Sequence, residues 1–533
     1  MVSSTLNAMA YEYLSYGRAA DITDRRDRFI YRLLELQPGV LAWLTLIAVV
    51  AASYWMPVYA AVFIIIFDLY WLIKTIYLSL HMSHTFRAMR SNQRVDWMPL
   101  LAGTTPYSQE LSGVTWEDIR HLVVLPMATE PYEVVRESFE GLLKTSWPLD
   151  NMIVALAIEG RVGAPAREIA ERIQNEFGQR FLRFLITEHP DNIVGEVRGK
   201  GSNETWAGKE ALKVIDELRI PYRNVVVSVF DVDTVTPHDF FACLAWHYLT
   251  AARPLRSSYQ PVPVFSNNIW HAPAFARVFA FSTTFWQMIQ QARPEQLVTF
   301  SSQSISLQAL VDVGFWQVNV VSEDSQIFWK CLLRYDGDWR TVPLHYPVYM
   351  DANVAPTFWG TLVNQYKQIR RWHYGVENNP YFLFGFLKNK RISLSTKIRH
   401  GFNMIEKTHS SATNALIIFL LGWLPVTIGT GRFGSTVLSY KLPSITTTIM
   451  LLAMVGLISS AIISMVMLPP RPPNFGKFRY VWMVLQWALF PVNFIFFGSI
   501  PALDAQTRLM FGKYMGFWVT PKSRTPAQKP SQI

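Results

Sequence analysis

Between Gln37 and Phe67 the chain carries no charged residue, and three further charge-free runs, Thr408 to Gly431, Leu442 to Pro470 and Tyr480 to Leu503, lie toward its C-terminus. A bilayer span needs about 20 consecutive apolar residues, so these runs constrain the fold more than anything else in the sequence. Apolar character persists from Val40 to Leu80 with only Asp68 and Lys74 interrupting it, which is room for two helices turning near Pro57. The first run starts too far from Met1 and is too long for a cleaved signal peptide, and so reads as a retained anchor. An integral, multi-pass membrane protein is expected. Two cysteines, Cys243 and Cys331, in 533 residues argue against a disulfide framework and suit a cytosolic soluble part.

The formal charge of +10 points to nucleic acid only until its location is read. "DITDRRDRFIYR" precedes the first apolar run, "HTFRAMRSNQR" follows the second helix of the hairpin, and "KNKRISLSTKIRH" stands before the third span. Basic residues beside spans mark the cytoplasmic side. The N-terminus and the long middle segment are therefore expected inside, at the plasma (inner) membrane in contact with membrane lipids, and no nucleic-acid partner is expected.

The middle segment has a different grammar. "HLVVLPMATE", "MIVALAIEG", "RFLRFLITE" and "NVVVSVF" read as buried strands, and "YEVVRESFEGLLKTSW", "PAREIAERIQNEF" and "NETWAGKEALKVIDEL" as amphipathic helices between them. Alternating strands and helices predict an α/β domain, a mostly parallel sheet with helices on both faces, whose ligands sit at the carboxyl ends of the strands. "VFDVDT" puts Asp231 and Asp233 at one such end. Two carboxylates there suit a hard divalent cation that neutralises a departing diphosphate, although aspartates at strand ends also form ordinary turns. The histidines His81, His84, His121 and His189 have no metal-ligand spacing.

Other motifs follow in a fixed order. Glu130 in "PMATEP" and Glu159 in "AIEGR" lie just past two strands, "GKGSNE" places Lys200 and Asn203 before a helix, and "FSSQS", "VVSEDSQIFWK" and "QIRRW" follow the aspartate pair. On these residues the chain resembles the inverting, family 2 (GT-A) membrane glycosyltransferases of the cellulose synthase and hyaluronan synthase kind, marked by D, DxD, [ST]ED and QxxRW in that order. The resemblance covers roughly residues 40 to 522. It implies that Glu130 and Glu159 line the uridine pocket, that Lys200 is among the donor-binding residues, and that Asp231 and Asp233 hold Mg²⁺ or Mn²⁺ and the diphosphate. Asp324 would be the general base, with Glu323 beside it as an orienting group. Gln368 and Arg371 would meet the diphosphate or position the acceptor, and Trp372 would face an acceptor sugar. "FWVTPK" fits the FxVTxK gating loop of cellulose synthases, with Phe517, Val519, Thr520 and Lys522 in the matching places.

Each residue has a plainer reading beside this one. Trp372 fits an interfacial belt, Arg370 and Arg371 fit positive-inside charges, and Glu323 and Asp324 fit a cap for a helix starting at Ser325. The order of the set favours the functional reading. The expected reaction is transfer from a UDP-linked sugar to a growing β-linked polysaccharide, processive and coupled to translocation, with a single transfer to a lipid-linked or short acceptor as the alternative. Sugar identity and oligomeric state stay open. The expected division is a cytosolic segment 1–38, a membrane hairpin 39–80, a cytosolic GT-A domain 81–395 and an interfacial amphipathic segment 396–411, then a membrane region 412–505 and a cytosolic tail 506–533. Cellulose synthases continue past the loop into a cyclic-dinucleotide-binding barrel, and regulation of that type is not expected here. Three full crossings after the domain would strand FWVTPK outside, so Pro425 or Pro491 is expected to turn one run back to its own side.

Overall fold

The computed structural model describes residues 11–521. Helix α1 spans Arg25–Trp55 and α2 spans Pro57–Asn92. Asp24 caps α1 by accepting from the Asp27 N–H, and Pro57 stands in the first turn of α2, where its missing N–H costs nothing. Both helices outrun the expected 39–80 hairpin. The charged flanks on either side are good helix formers, so the helices continue past the apolar stretch, with Pro38 inside α1.

The middle of the chain forms β1 (Arg120–Met127), α3 (Tyr132–Leu143), β2 (Met152–Glu159), α4 (Ala164–Phe177), β3 (Arg183–His189), α5 (Lys200–Glu217) and β4 (Val225–Val229). After these come α6 (Phe240–Thr250), β5 (Ser257–Phe265), α7 (Ala274–Gln291), β6 (Ser304–Ser306), α8 (Glu323–Arg334) and β7 (Arg340–Met350). The seven strands make one sheet in the order β3-β2-β1-β4-β6-β5-β7. The pairs β1–β2, β1–β4, β2–β3 and β5–β7 are parallel, and the short β6 runs antiparallel to β4 and β5.

Alternating side chains explain the two cores. Val123, Leu125, Val154 and Leu156 point to one face, where Val135 and Phe139 of α3 and Ile173 of α4 cover them. Leu122, Val124, Ile153 and Ala155 point to the other, against Ala207, Ala211 and Ile215 of α5 and Ile327 of α8. Every residue of β2 and β5 is buried, as a sheet covered on both faces requires. This is an α/β sheet domain set between apolar helices. The carboxyl ends of β1, β2 and β4 lie side by side, and the loops leaving them carry Glu130, Glu159 and Asp231.

After the sheet come α9 (Phe358–His373), α10 (Asn378–Lys388), α11 (Leu394–Phe419), α12 (Val437–Val466) and α13 (Arg479–Met510). Helices α1, α2, α12 and α13 are long and apolar enough to cross a membrane, and α11 with Leu421–Ile428, bent by 48°, makes a fifth candidate. The bent segment reaches the α1–α2 turn, where the Thr430 N–H donates to the Tyr54 carbonyl at 3.3 Å. The two ends of α13 touch the loop after β5 and the first turns of α1. Arg479 donates to the Trp270 carbonyl at 3.1 Å, and Arg32, next to the Tyr31 ring that packs on Phe384, donates to the Leu509 carbonyl at 3.0 Å. Pro491, a π-turn over Ile495–Ser499 and Pro501 interrupt α13 between those ends. Of the two prolines, Pro425 lies in the short segment bent away from α11, and Pro491 lies inside the continuous α13.

Candidate active site

Lys200 opens α5 and points across the carboxyl ends of the strands. Its Nζ lies 2.9 Å from Asp231 Oδ1, 2.9 and 2.8 Å from the two oxygens of Asp324, and 3.4 Å from Glu204 Oε1. Two packing choices set this position. The Asn203 amide donates to the Ala157 carbonyl at 2.8 Å, fixing the first turn of α5 to β2. Gly201 lets α5 close on α8, because a Cβ there would stand 2.8 Å from the Gln317 carbonyl oxygen and 2.9 Å from Glu323 Cβ. The helix thus begins at Lys200, three residues before Asn203, where the sequence had placed both in the approach to it.

Asp324 lies in the first turn of α8, which starts at Glu323 rather than Ser325. Its main-chain carbonyl accepts from Thr299 Oγ1 at 2.6 Å and Gln303 Nε2 at 3.0 Å. The preceding turn is held by Glu377, whose Oε1 accepts from the Val321 and Ser322 N–H groups and the Ser322 hydroxyl at 2.8 to 2.9 Å. Glu204, Glu323 and Asp324 bring carboxylate oxygens within 4.8 Å of one another.

Three acids around one ammonium cannot all be ionised at little cost. Burial pushes the Glu323 carboxyl up to about 8, with Asp324 adding to the rise. Burial also raises Asp324, against the lowering pull of Lys200, and raises Glu204 well above the carboxylate range. For Lys200 burial acts downward, but Asp231, Asp324, Glu204 and Glu323 together outweigh it and hold the ammonium charged.

Asp233 is 1% exposed, and its Oδ2 accepts from the Asp351 N–H at 3.1 Å. Asp231 stays at the surface of the site, with about a third of its side chain exposed. Glu130 turns back to accept from the Ala128 N–H at 2.7 Å, and the buried Glu159 pairs with Arg161. Gln368 accepts from the Asn353 amide at 3.2 Å.

The two arginines of the QIRRW segment face different neighbours along α9. Arg370 turns away and pairs with Asp504 of α13 at 3.0 Å, a structural contact. Arg371 faces the charge cluster, within electrostatic reach of Glu323, Asp231 and Asp324. Trp372 is packed among Phe265, Phe279 and Phe300 with ring centroids 5.8 to 6.2 Å away, not set in an outer belt.

The tail comes back to this site. Arg371 stacks on Phe517 at 4.4 Å, and Gly199, with φ of +152°, lies so close to that ring that any Cβ would overlap it. Tyr514 donates to both oxygens of the buried Glu35 at 2.9 Å, anchoring the tail to α1. Thr520 is buried, with no hydrogen-bond partner for its hydroxyl among the described residues. Lys522 lies outside the described residues.

All the site residues predicted from the sequence within 11–521 line one cavity of about 1560 Å³. The same cavity continues between the apolar helices, past Trp71 and Lys74 of α2, Asn414 of α11 and Met454 of α12. Sequence reading passed over Glu204, Glu377 and Asp351. The first had a signal, a glutamate four residues after Lys200 on one helix face, and the last follows the end of β7 as Asp231 follows β4.

No curated protein matches the chain by sequence. Among solved structures it resembles the mannosyltransferase PcManGT from Pyrobaculum calidifontis in complex with GDP-Man and Mn²⁺, with 13% identity, a TM-score of 0.40, and coverage of 75% of this chain and 99% of that one. It also resembles residues 1–349 of S. aureus TarS in complex with UDP, with 12% identity, a TM-score of 0.29, and coverage of 63% and 90%. Both likenesses are low and add nothing to the assignment. A family model described as Glycosyl transferase family group 2 matches residues 226–498, more than half of the chain and a span that includes Asp231, Asp324 and Arg371, and the chain belongs to that family of glycosyltransferases.

Proposed function

We propose that the protein transfers a sugar from a UDP-sugar to an acceptor hydroxyl with inversion at the anomeric carbon, and that the acceptor is the end of a growing β-linked polysaccharide. The observation that carries this reading is the position of Lys200, which ties Asp231 to Asp324 at 2.9 and 2.8 Å at the head of a cavity that runs on between the apolar helices. A leaving-group side and a base side meet there.

Asp231 and Asp233 supply hard oxygen donors, and the ammonium of Lys200 already stands 2.9 Å from Asp231, where positive charge is favoured. The donor set fits Mg²⁺ or Mn²⁺. A bound dication would neutralise the charge that develops on the departing diphosphate. Arg371 and Lys200 add positive charge on that side, and Thr520 offers a hydroxyl from the closed tail. On the other side Asp324 takes the proton of the acceptor hydroxyl as it attacks, a single displacement that needs one base and no covalent nucleophile. The raised carboxyl of Glu323 lessens the negative charge beside that base. Trp372 and the rings around it present the acceptor sugar with an aromatic wall.

The continuous cavity favours a polymer that moves away from the site toward the membrane, with the sheet domain and tail on the cytosolic side. Its apolar stretch along α11 and α12 also fits a lipid-linked acceptor. Incubating the purified full chain with labelled UDP-sugars and sizing the product separates the two. A ladder of long chains supports the synthase, a single addition to a lipid or short acceptor supports the alternative, and no incorporation from any UDP-sugar refutes both.

A further inference from the structure

A second cavity, of about 730 Å³, opens where the loop between β7 and α9 meets α7 and the start of α13. Two arginines face it. Arg277 of α7 is 5% exposed, with Nε donating to Gln486 Oε1 at 2.6 Å and a terminal nitrogen donating to the Ala272 carbonyl at 2.5 Å. Arg479 donates to the Trp270 carbonyl and stacks on Phe475 at 4.9 Å, and its Nε is buried without a hydrogen-bond partner among the described residues.

Among the described residues no carboxylate balances this pair. Burial brings the Arg277 guanidinium down to about 10, and the one charge acting on it among the described residues is Arg479, of the same sign. His271 on the same wall is lowered by burial and again by Arg479. Like charges held together away from water are costly unless an anion joins them. The rim is of another kind. Trp482, Leu485 and Phe358 are 65%, 54% and 55% exposed, and the first two belong to a helix apolar enough for a membrane.

We propose that this cavity binds the phosphate of an anionic phospholipid, with Arg277 and Arg479 on the headgroup and Trp482, Leu485 and Phe358 against the acyl chains. Guanidinium forks match phosphate oxygens, and aromatic side chains at such a rim sit at headgroup level. Free phosphate shares the headgroup chemistry but leaves the apolar rim exposed to water, which favours the lipid. Thr357 and Thr361 line the same cavity and begin α9, the helix that ends in Gln368–Trp372. A lipid bound here braces the helix that carries Arg371.

The test is lipid retention by the purified full chain in native mass spectrometry, with phosphatidylglycerol, phosphatidylcholine and inorganic phosphate as probes. Phosphatidylglycerol should be retained roughly tenfold better than phosphatidylcholine, the worth of one charge-assisted hydrogen bond, and Arg479→Gln should erase most of that difference. Arg277→Gln alters a buried residue and is prone to misfold, so the half-buried Arg479 carries the test. Equal retention of the two lipids, or retention of phosphatidylglycerol unchanged in Arg479→Gln, overturns the proposal. Displacement of phosphatidylglycerol by millimolar inorganic phosphate overturns the lipid assignment and leaves a soluble-phosphate site. The readout is binding, so it stands apart from the transferase reading.

Discussion

The ammonium of Lys200 sits astride the carboxylate of Asp324, 2.9 Å from one oxygen and 2.8 Å from the other. An acid buried among other acids would otherwise drift toward its protonated form. This contact favours the ionised form that a base must have, and it fixes the orientation of the carboxylate.

Asp324→Asn therefore separates binding from chemistry. The amide keeps the volume and hydrogen bonding of the side chain but cannot accept the acceptor's proton, so transfer should fall by roughly 10²-fold or more. UDP affinity, read by calorimetry, should stay within several-fold. Parallel loss of UDP binding and transfer would make Asp324 a structural or donor-binding residue instead.

Asp231→Asn and Asp233→Asn should each abolish turnover, because the diphosphate would leave without its counter-charge. Asp233 also accepts from the Asp351 N–H, a contact that the amide oxygen of Asn can keep. UDP release measured while Mg²⁺ or Mn²⁺ is titrated checks this. Near-normal activity in both variants, or full activity in EDTA, contradicts the metal assignment.

Gly199→Ala should unseat the tail, since the new Cβ overlaps the Phe517 ring and the backbone at +152° favours glycine. Transfer should drop roughly tenfold or more while the melting temperature barely moves, as only the docked tail is displaced. Phe517→Ala removes the overlap but also the ring under Arg371, and should lower transfer too. Full activity in both variants would show that the docked tail does not serve the reaction.

Glu377 sets a pH dependence of stability. Burial holds its folded carboxyl up at about 7, above the ordinary 4.5. The folded state thus binds the proton more tightly than the unfolded one, and the stability this adds is complete below 4.5 and lost as pH rises through 7. Glu377→Gln keeps an acceptor oxygen for Val321 and Ser322 and does not titrate. Its melting temperature should fall less between pH 5 and pH 8 than that of the unaltered protein. An equal or steeper fall in the variant would contradict this role.

Much of the site was legible because strand ends announce themselves. A run such as "VVVSVF" must be covered on both faces, and the charged residues that follow it can lie only at the carboxyl edge of the sheet, which is where Asp231 and Asp233 stand. The amphipathic helices α3, α4 and α5 were legible for the same reason of periodicity. The strands β5 to β7 were not. β6 is three residues of serine and isoleucine, and β5 and β7 contain Pro261, Pro263, Pro343 and Pro347, which a central strand normally excludes. The fate of α13 was beyond local reading, because a proline that breaks an apolar run and one that merely bends it look alike in sequence. Glu377 was hidden too, since its partners lie more than fifty residues upstream.

The central claim is a single inverting displacement on a UDP-sugar, and the anomeric configuration of the product tests it most directly. The purified full chain is incubated with an α-linked UDP-sugar and Mg²⁺ or Mn²⁺, UDP release is measured, and the new linkage is read by NMR beside Asp324→Asn. The expected result is a β-linkage formed in step with UDP release and lost in the variant. An α-linkage, or undiminished transfer by Asp324→Asn, would contradict it.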